Sequence, residues 1–238
     1  MLGDANDTQG CNNPTTPLLV DFVGNNWTAG EKSAIQVGAW MIALAFYKAG
    51  NGQFASPSEA FLAIYGSAVS FEKSGVKASN LGWADKENHI FVNNQTDGIG
   101  IVHPVTGAMW AVHELGHAFN YALNPNTTDD LSYGQGIIDL AVEGVWVDGE
   151  RIAGNRTTSY ANDNEYVRTG DGYRPGLYSV NGGPYQQNAA NAVGEDYADM
   201  FMNWAFNSFA SDVYGQARYR FMDDHISAWI NLAVTNNQ

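Results

Sequence analysis

The sequence predicts an α+β fold, mostly helical with a small sheet beside one central helix. Three observations carry that expectation. Two Ser/Thr-x-x-Glu capping boxes, Thr28-Ala29-Gly30-Glu31 and Ser56-Pro57-Ser58-Glu59, each stand directly before an apolar run. A β-branched and aromatic stretch, Asn88-His89-Ile90-Phe91-Val92-Asn93, has turn formers on both sides and reads as a strand. A further apolar run, Thr106 to Leu123, lies between His103-Pro104 and Asn124-Pro125 and reads as a helix.

Taken in order, residues 1–20 are rich in turn formers and read as an N-terminal arm, with residues 21–238 as one domain. The first capping box opens a long helix whose apolar run, Ala34 to Tyr47, stops at Gly50. Its centre, Val37 to Phe46, is apolar almost all round, which fits a buried helix or a membrane span. A run of about 14 residues is shorter than the roughly 18–20 a bilayer requires, so a buried core helix is expected. The second box, with Pro57 at the first helical position, opens a helix through about Gly66. Between about 124 and 190 the chain is rich in Gly, Asn, Asp and Tyr, and its one apolar segment, Ile137 to Val147, fits helix or strand equally. Two more helices close the chain, Glu195 to Ala210 and, after a Ser211-Asp212 cap, a last one to about Ala233.

Composition narrows the partners. The 238 residues carry 11 Lys+Arg against 25 Asp+Glu, a net charge of −14, while 45% are hydrophobic and only 15% charged. That balance belongs to a folded chain with a sizeable core. So acidic a surface repels phosphate backbones and anionic headgroups, which argues against nucleic acid and membrane surfaces as partners. A single cysteine, Cys11, excludes an internal disulfide and a cysteine metal cluster. Residues Met1 to Asp7 lack the basic and apolar regions of a signal peptide, yet low Lys and high Asn, Thr and Gly content resemble a secreted protein. The expected setting is extracellular, with any export signal absent from this chain.

The chemistry-bearing signal is His113-Glu114-Leu115-Gly116-His117, inside the helix expected over 106–123. Histidines at i and i+4 project from one helical face and can bind one metal ion, while the glutamate between them reaches a water at that ion. Two hydrogen-bonded core histidines beside a surface glutamate would produce the same letters. A catalytic zinc takes three protein ligands and keeps a position for water, so a third donor is required. The elongated metzincin pattern is excluded, because Asn120 and Leu123 stand where its glycine and third histidine belong. His89 falls in the expected strand, His103 just before the helix, and His225, in Asp223-Asp224-His225, on a solvated helix face. Glutamate is the better candidate. Glu195 and Asp199 share a face one turn apart at the start of a later helix, and Glu143, 26 positions after His117, competes.

On these residues the chain resembles the gluzincin metallopeptidases, the thermolysin-like branch of the zincin fold. The resemblance covers two short helices, and the 78 positions from His117 to Glu195 exceed the separation in compact members. It implies zinc held by His113, His117 and Glu195, Glu114 as general base, and Asp199 orienting His113 from behind. An outer carboxylate of that kind fixes the imidazole tautomer and raises its basicity toward the metal. The same family uses a tyrosine or histidine to stabilise the oxyanion, and Tyr185, in a Gly-rich loop before Glu195, is the favoured candidate. Tyr173, Tyr178 and Tyr197 stay open as alternatives, with His225 ranked below them.

The expected function is zinc-dependent hydrolysis of peptide bonds in a peptide or protein substrate. Two rivals belong to other classes: a zincin-fold binding or surface protein without turnover, and a carbohydrate-binding protein, which the Asn-, Gly- and aromatic-rich composition would suit. Calcium is a weaker expectation. Asn162-Asp163-Asn164-Glu165 and Asp171-Gly172 offer oxygen ligands without EF-hand spacing, so a solvated loop is the favoured reading there.

Overall fold

A computed structural model describes residues 18–24, 27–74, 82–84, 88–93, 104–123, 146–147, 150–151, 193–209, 211 and 213–238. The described chain runs β1 (Val20–Val23), α1 (Ala29–Ala49), α2 (Pro57–Tyr65), β2 (Val69–Ser74), β3 (Gly82–Ala84), β4 (His89–Asn93) and α3 (Pro104–Leu123). It continues with β5 (Trp146–Val147), β6 (Glu150–Arg151), α4 (Val193–Ala205) and α5 (Val213–Asn236). Helices dominate, and a small mixed sheet accompanies them, an α+β arrangement.

That sheet has the order β1-β2-β4-β3. The β1/β2 and β2/β4 pairs are parallel, and β3 joins β4 antiparallel, with Trp83 opposite Phe91. In β2 the side chains of Val69 and Phe71 are fully buried while Ser70 and Glu72 are not, the alternation of a half-buried strand. β1 begins inside the span expected to be an arm. Leu19 and Val20 are buried, and the Leu19 carbonyl accepts the Val69 amide at 3.0 Å, so the end of that span belongs to the body. β5 and β6 form a separate antiparallel pair.

Local chemistry explains the helix starts. Thr28 accepts the Glu31 amide at 3.2 Å and Glu31 returns a bond to the Thr28 amide at 2.8 Å, a complete capping box. Ser56 accepts the Glu59 amide at 3.1 Å, but the Glu59 carboxylate reaches Ala55 N at 2.7 Å, one residue earlier than the box predicts. The apolar centre of α1 predicts burial almost all round, but only one face is buried. Ile35, Ala39, Ile42 and Phe46 face the core, whereas Val37 is 47% exposed and Trp40, Met41 and Leu44 are half-buried. Among the described residues, no helix is long and apolar enough to cross a membrane. α4 stops at Ala205 rather than running to 210. Asn207 takes a left-handed φ of 48°, the Ser208 amide bonds the Asn203 carbonyl at 2.8 Å, and the Ser208 hydroxyl donates to Asn203 Oδ1 at 2.7 Å.

α3 occupies the centre. Its Trp110 meets Phe71 of the sheet edge-on with ring centroids 6.2 Å apart. On another side α1 approaches closely, because a Cβ at Gly38 would lie 2.5 Å from the Ala108 carbonyl oxygen. Phe46 of α1 joins the helices together, with its ring 6.0 Å from Tyr65 of α2, 5.2 Å from Phe119 of α3 and 5.8 Å from Phe201 of α4. The His-Glu-x-x-His segment is therefore carried by a helix packed on several sides, the rigid placement a metal site requires.

Candidate metal centre

The helical period alone brings the two motif histidines together. His113 and His117 stand one turn apart on α3, their rings 4.9 Å between centroids and 81° between planes, with the two Nε2 atoms 3.3 Å apart. His113 is fully buried, and His117 is partly open to solvent. Behind His113 lies α4. Asp199 Oδ1 is 2.8 Å from His113 Nδ1, and both side chains have no solvent exposure.

This contact assigns the imidazole. An ionised carboxylate only accepts, so Nδ1 of His113 is the donor, and in the neutral imidazole Nε2 then presents its lone pair toward His117. Two nitrogens each about 2.0–2.1 Å from a tetrahedral zinc stand about 3.3–3.4 Å apart. The observed 3.3 Å matches that spacing, so the described donors fit two corners of a zinc site. Glu114, the next residue after His113, is buried at 3% exposure, which removes its carboxylate from bulk water.

The surroundings hold this face of α3 in place. The Tyr65 hydroxyl, on α2, donates to the Leu115 carbonyl in the middle of the motif at 2.9 Å. Burial pushes the Tyr65 phenol well above its ordinary pKa, so it remains a donor throughout the working range. Nothing in the sequence marks that bond, since a tyrosine fifty positions away has no local pattern linking it to a helix carbonyl. On α4, Asn203 Nδ2 donates to the Asp199 carbonyl at 2.8 Å, tying the backbone of the aspartate to the buried Ser208 hydroxyl.

The other expected residues divide clearly. Glu195 lies on α4 one turn before Asp199, but its side chain is outside the described structure. Glu143, Tyr173, Tyr178, Tyr185, His103 and the proposed calcium segment 162–172 also lie outside the described residues. Among the described residues, no group of three or more His, Cys, Asp or Glu side chains stands ready to hold a metal ion. Tyr197 is fully buried, its ring 5.8 Å from Phe201 and 6.3 Å from Trp229. His89 pairs with Glu72 at 3.0 Å across β4 and β2. His225 is half-buried rather than solvated, with its ring 4.5 Å from Phe221 and 5.2 Å from Trp229 and its Nδ1 2.8 Å from the Phe221 carbonyl oxygen. Comparison of the chain with protein-family models, curated proteins and solved structures finds no match.

Proposed function

We propose that this protein is a zinc-dependent peptidase of zincin-like architecture. The observation that carries the reading is the pair of Nε2 atoms at 3.3 Å, one belonging to an imidazole whose Nδ1 is held by a buried carboxylate. Two hydrogen-bonded core histidines would also stand 3.3 Å apart, and it is the carboxylate held behind His113 that favours the metal reading. His113 and His117 would hold the ion, with Glu195 as the favoured third ligand and Glu143 as its competitor. When bound, zinc supplies a Lewis acid for the substrate carbonyl and lowers the pKa of water into the neutral range.

The residues of the chain then divide the proton work. Glu114 takes a proton from the attacking water and passes it to the leaving amine, a transfer its burial favours by excluding competing solvent. Asp199 holds His113 in one tautomer throughout, so the imidazole keeps its orientation as charge changes beside it. Tyr185 is the proposed donor to the developing oxyanion.

The test combines metal content by mass spectrometry with a peptide-cleavage assay. Wild-type protein should carry near-stoichiometric zinc, lost in His113→Ala and in Glu195→Ala but kept in Glu143→Ala. Glu114→Gln should keep the zinc and lose about 10²–10⁴ in turnover. Loss in Glu143→Ala alone moves the third ligand, and zinc without Glu114-dependent cleavage leaves a metal-holding binding protein. No zinc after saturation at neutral pH would sink the proposal.

A further inference from the structure

α3 and α4 approach each other where the motif helix has no side chain. A Cβ on Gly116 would stand 3.0 Å from Cδ1 and 3.3 Å from Cγ of Phe201, and 3.4 Å from Cα of Ala198, the residue before Asp199. Phe201 cannot readily step aside. It is fully buried, and its ring centroid lies 5.8 Å from Phe46, 5.4 Å from Phe119, 5.8 Å from Tyr197 and 5.9 Å from Trp204. In an interior this closely packed, an added methyl must be accommodated by moving the helices apart. Gly116 is adjacent to His117 and three residues after His113, so such a movement would act within one turn of both imidazoles.

A glycine inside a helix is unfavourable relative to alanine, which makes a close-approach role the physical reason for its presence. We propose that Gly116 is a positioning residue: its bare Cα sets the separation of α3 and α4 at which Asp199 reaches His113. A shift of a few tenths of an ångström is enough to matter, because the bond it controls is 2.8 Å long and joins two side chains with no solvent to replace either partner. Gly38 provides the contrast. Its missing Cβ admits α1 to a different side of α3, against Ala108, away from Asp199.

The test uses the full chain carrying Gly116→Ala, with Gly38→Ala as the control. In metal-free protein, the His113 Nδ1 proton should give a downfield, exchange-protected NMR resonance, identified by its loss in Asp199→Ala. Gly116→Ala should stay folded but lose that protection, with a Tm lowered as in Asp199→Ala, because the lost bond and the crowding outweigh the added helix propensity. Gly38→Ala should keep the resonance. A second readout, which rests on the metal-site proposal, is zinc affinity by chelator competition, expected to fall about tenfold or more in Gly116→Ala. A resonance lost in Gly116→Ala from a wild-type protein that binds no zinc supports the positioning role and removes the metal reading alone. Should Gly116→Ala fail to fold, Phe201→Ala makes room for the methyl, and the double variant should show the resonance that Phe201→Ala shows. The positioning role is overturned if Gly116→Ala keeps the protected resonance, if Gly38→Ala loses it equally, or if the double variant lacks what Phe201→Ala retains.

Discussion

Asp199 on α4 and His113 on α3 are 86 positions apart in sequence and 2.8 Å apart in the fold, and neither side chain touches solvent. A buried imidazole N–H with no acceptor costs about 1–3 kcal/mol, so Asp199 serves stability as well as orientation. Asp199→Ala is therefore expected to lose roughly that much stability in urea unfolding and, on the zinc reading, about 10–100-fold in zinc affinity. Chelator competition separates the two effects. An unchanged zinc affinity in a folded variant would show that the orientation of His113 does not depend on the carboxylate.

Tyr65 makes a different kind of contact with the same helix. Its hydroxyl donates to Leu115 O at 2.9 Å from a fully buried position, while Phe61 and Phe46 flank its ring at centroid distances of 4.6 and 6.0 Å. Tyr65→Phe keeps the ring packing and deletes one hydrogen bond, so the expected loss is about 1 kcal/mol. Thermal and urea unfolding would measure it. A loss above about 3 kcal/mol would mean that the hydroxyl organises more than the one carbonyl.

The parts of this fold that could be read from sequence are those whose determinants are local. Thr28 and Ser56 announce their helices because a cap and its partner lie three residues apart, and His113 and His117 announce a shared face because the helical period does the same. β1 and β2 were missed for the opposite reason. Val20–Val23 is only four residues long, and Val69–Ser74 carries Glu72 on one face and Lys73 on the other, which breaks its apolar alternation, so both depend on parallel partners distant in sequence. The end of α4 was overrun because the Asn203–Ser208 side-chain bond that helps stop it has no signature in hydropathy.

The site was legible to the same limit. His113, Glu114 and His117 follow from one pentapeptide, whereas pairing Asp199 with His113 required the resemblance to gluzincins, since spacing on α4 says nothing about which helix it faces. Gly116 offered a partial signal. A mid-helix glycine predicts close approach, but its neighbour on α4 is visible only in the fold.

The part-buried pair Glu31–Lys73 predicts a stability that depends on pH. Lys73 Nζ lies 2.8 and 2.7 Å from the two Glu31 oxygens, with side-chain exposures of only 10% and 6%. Burial alone pushes the Glu31 carboxyl upward, but the hydrogen bonds from Lys73 and Thr28 and the lysine charge outweigh it, leaving the pKa below its ordinary value. A carboxyl depressed on folding contributes stability above its unfolded pKa, and that contribution is lost as pH falls through the folded value. Glu31→Ala removes the carboxylate that pairs with Lys73 and caps Thr28, and should cost about 1–3 kcal/mol at neutral pH. The difference between variant and wild type should shrink below the ordinary glutamate range. Parallel stability curves for the two proteins through that range would contradict the coupling.

Gly38 tests packing without touching the imidazoles. The Cβ of an alanine there would lie 2.5 Å from the Ala108 carbonyl oxygen and 3.0 Å from the Ala111 Cβ. Both neighbours belong to α3, and neither is the end of a flexible side chain that can rotate away. Relief requires α1 and α3 to separate, at the expense of contacts such as Phe46 against Phe119. Helix propensity favours alanine by about 1 kcal/mol, against an overpacking cost of about 1–3 kcal/mol. With a backbone oxygen as the obstacle, the clash should win and Gly38→Ala should be net destabilising by about 1–2 kcal/mol. Urea unfolding with an unchanged m-value would attribute that loss to the native crossing, whereas a stabilised Gly38→Ala would mean that the two helices are free to shift.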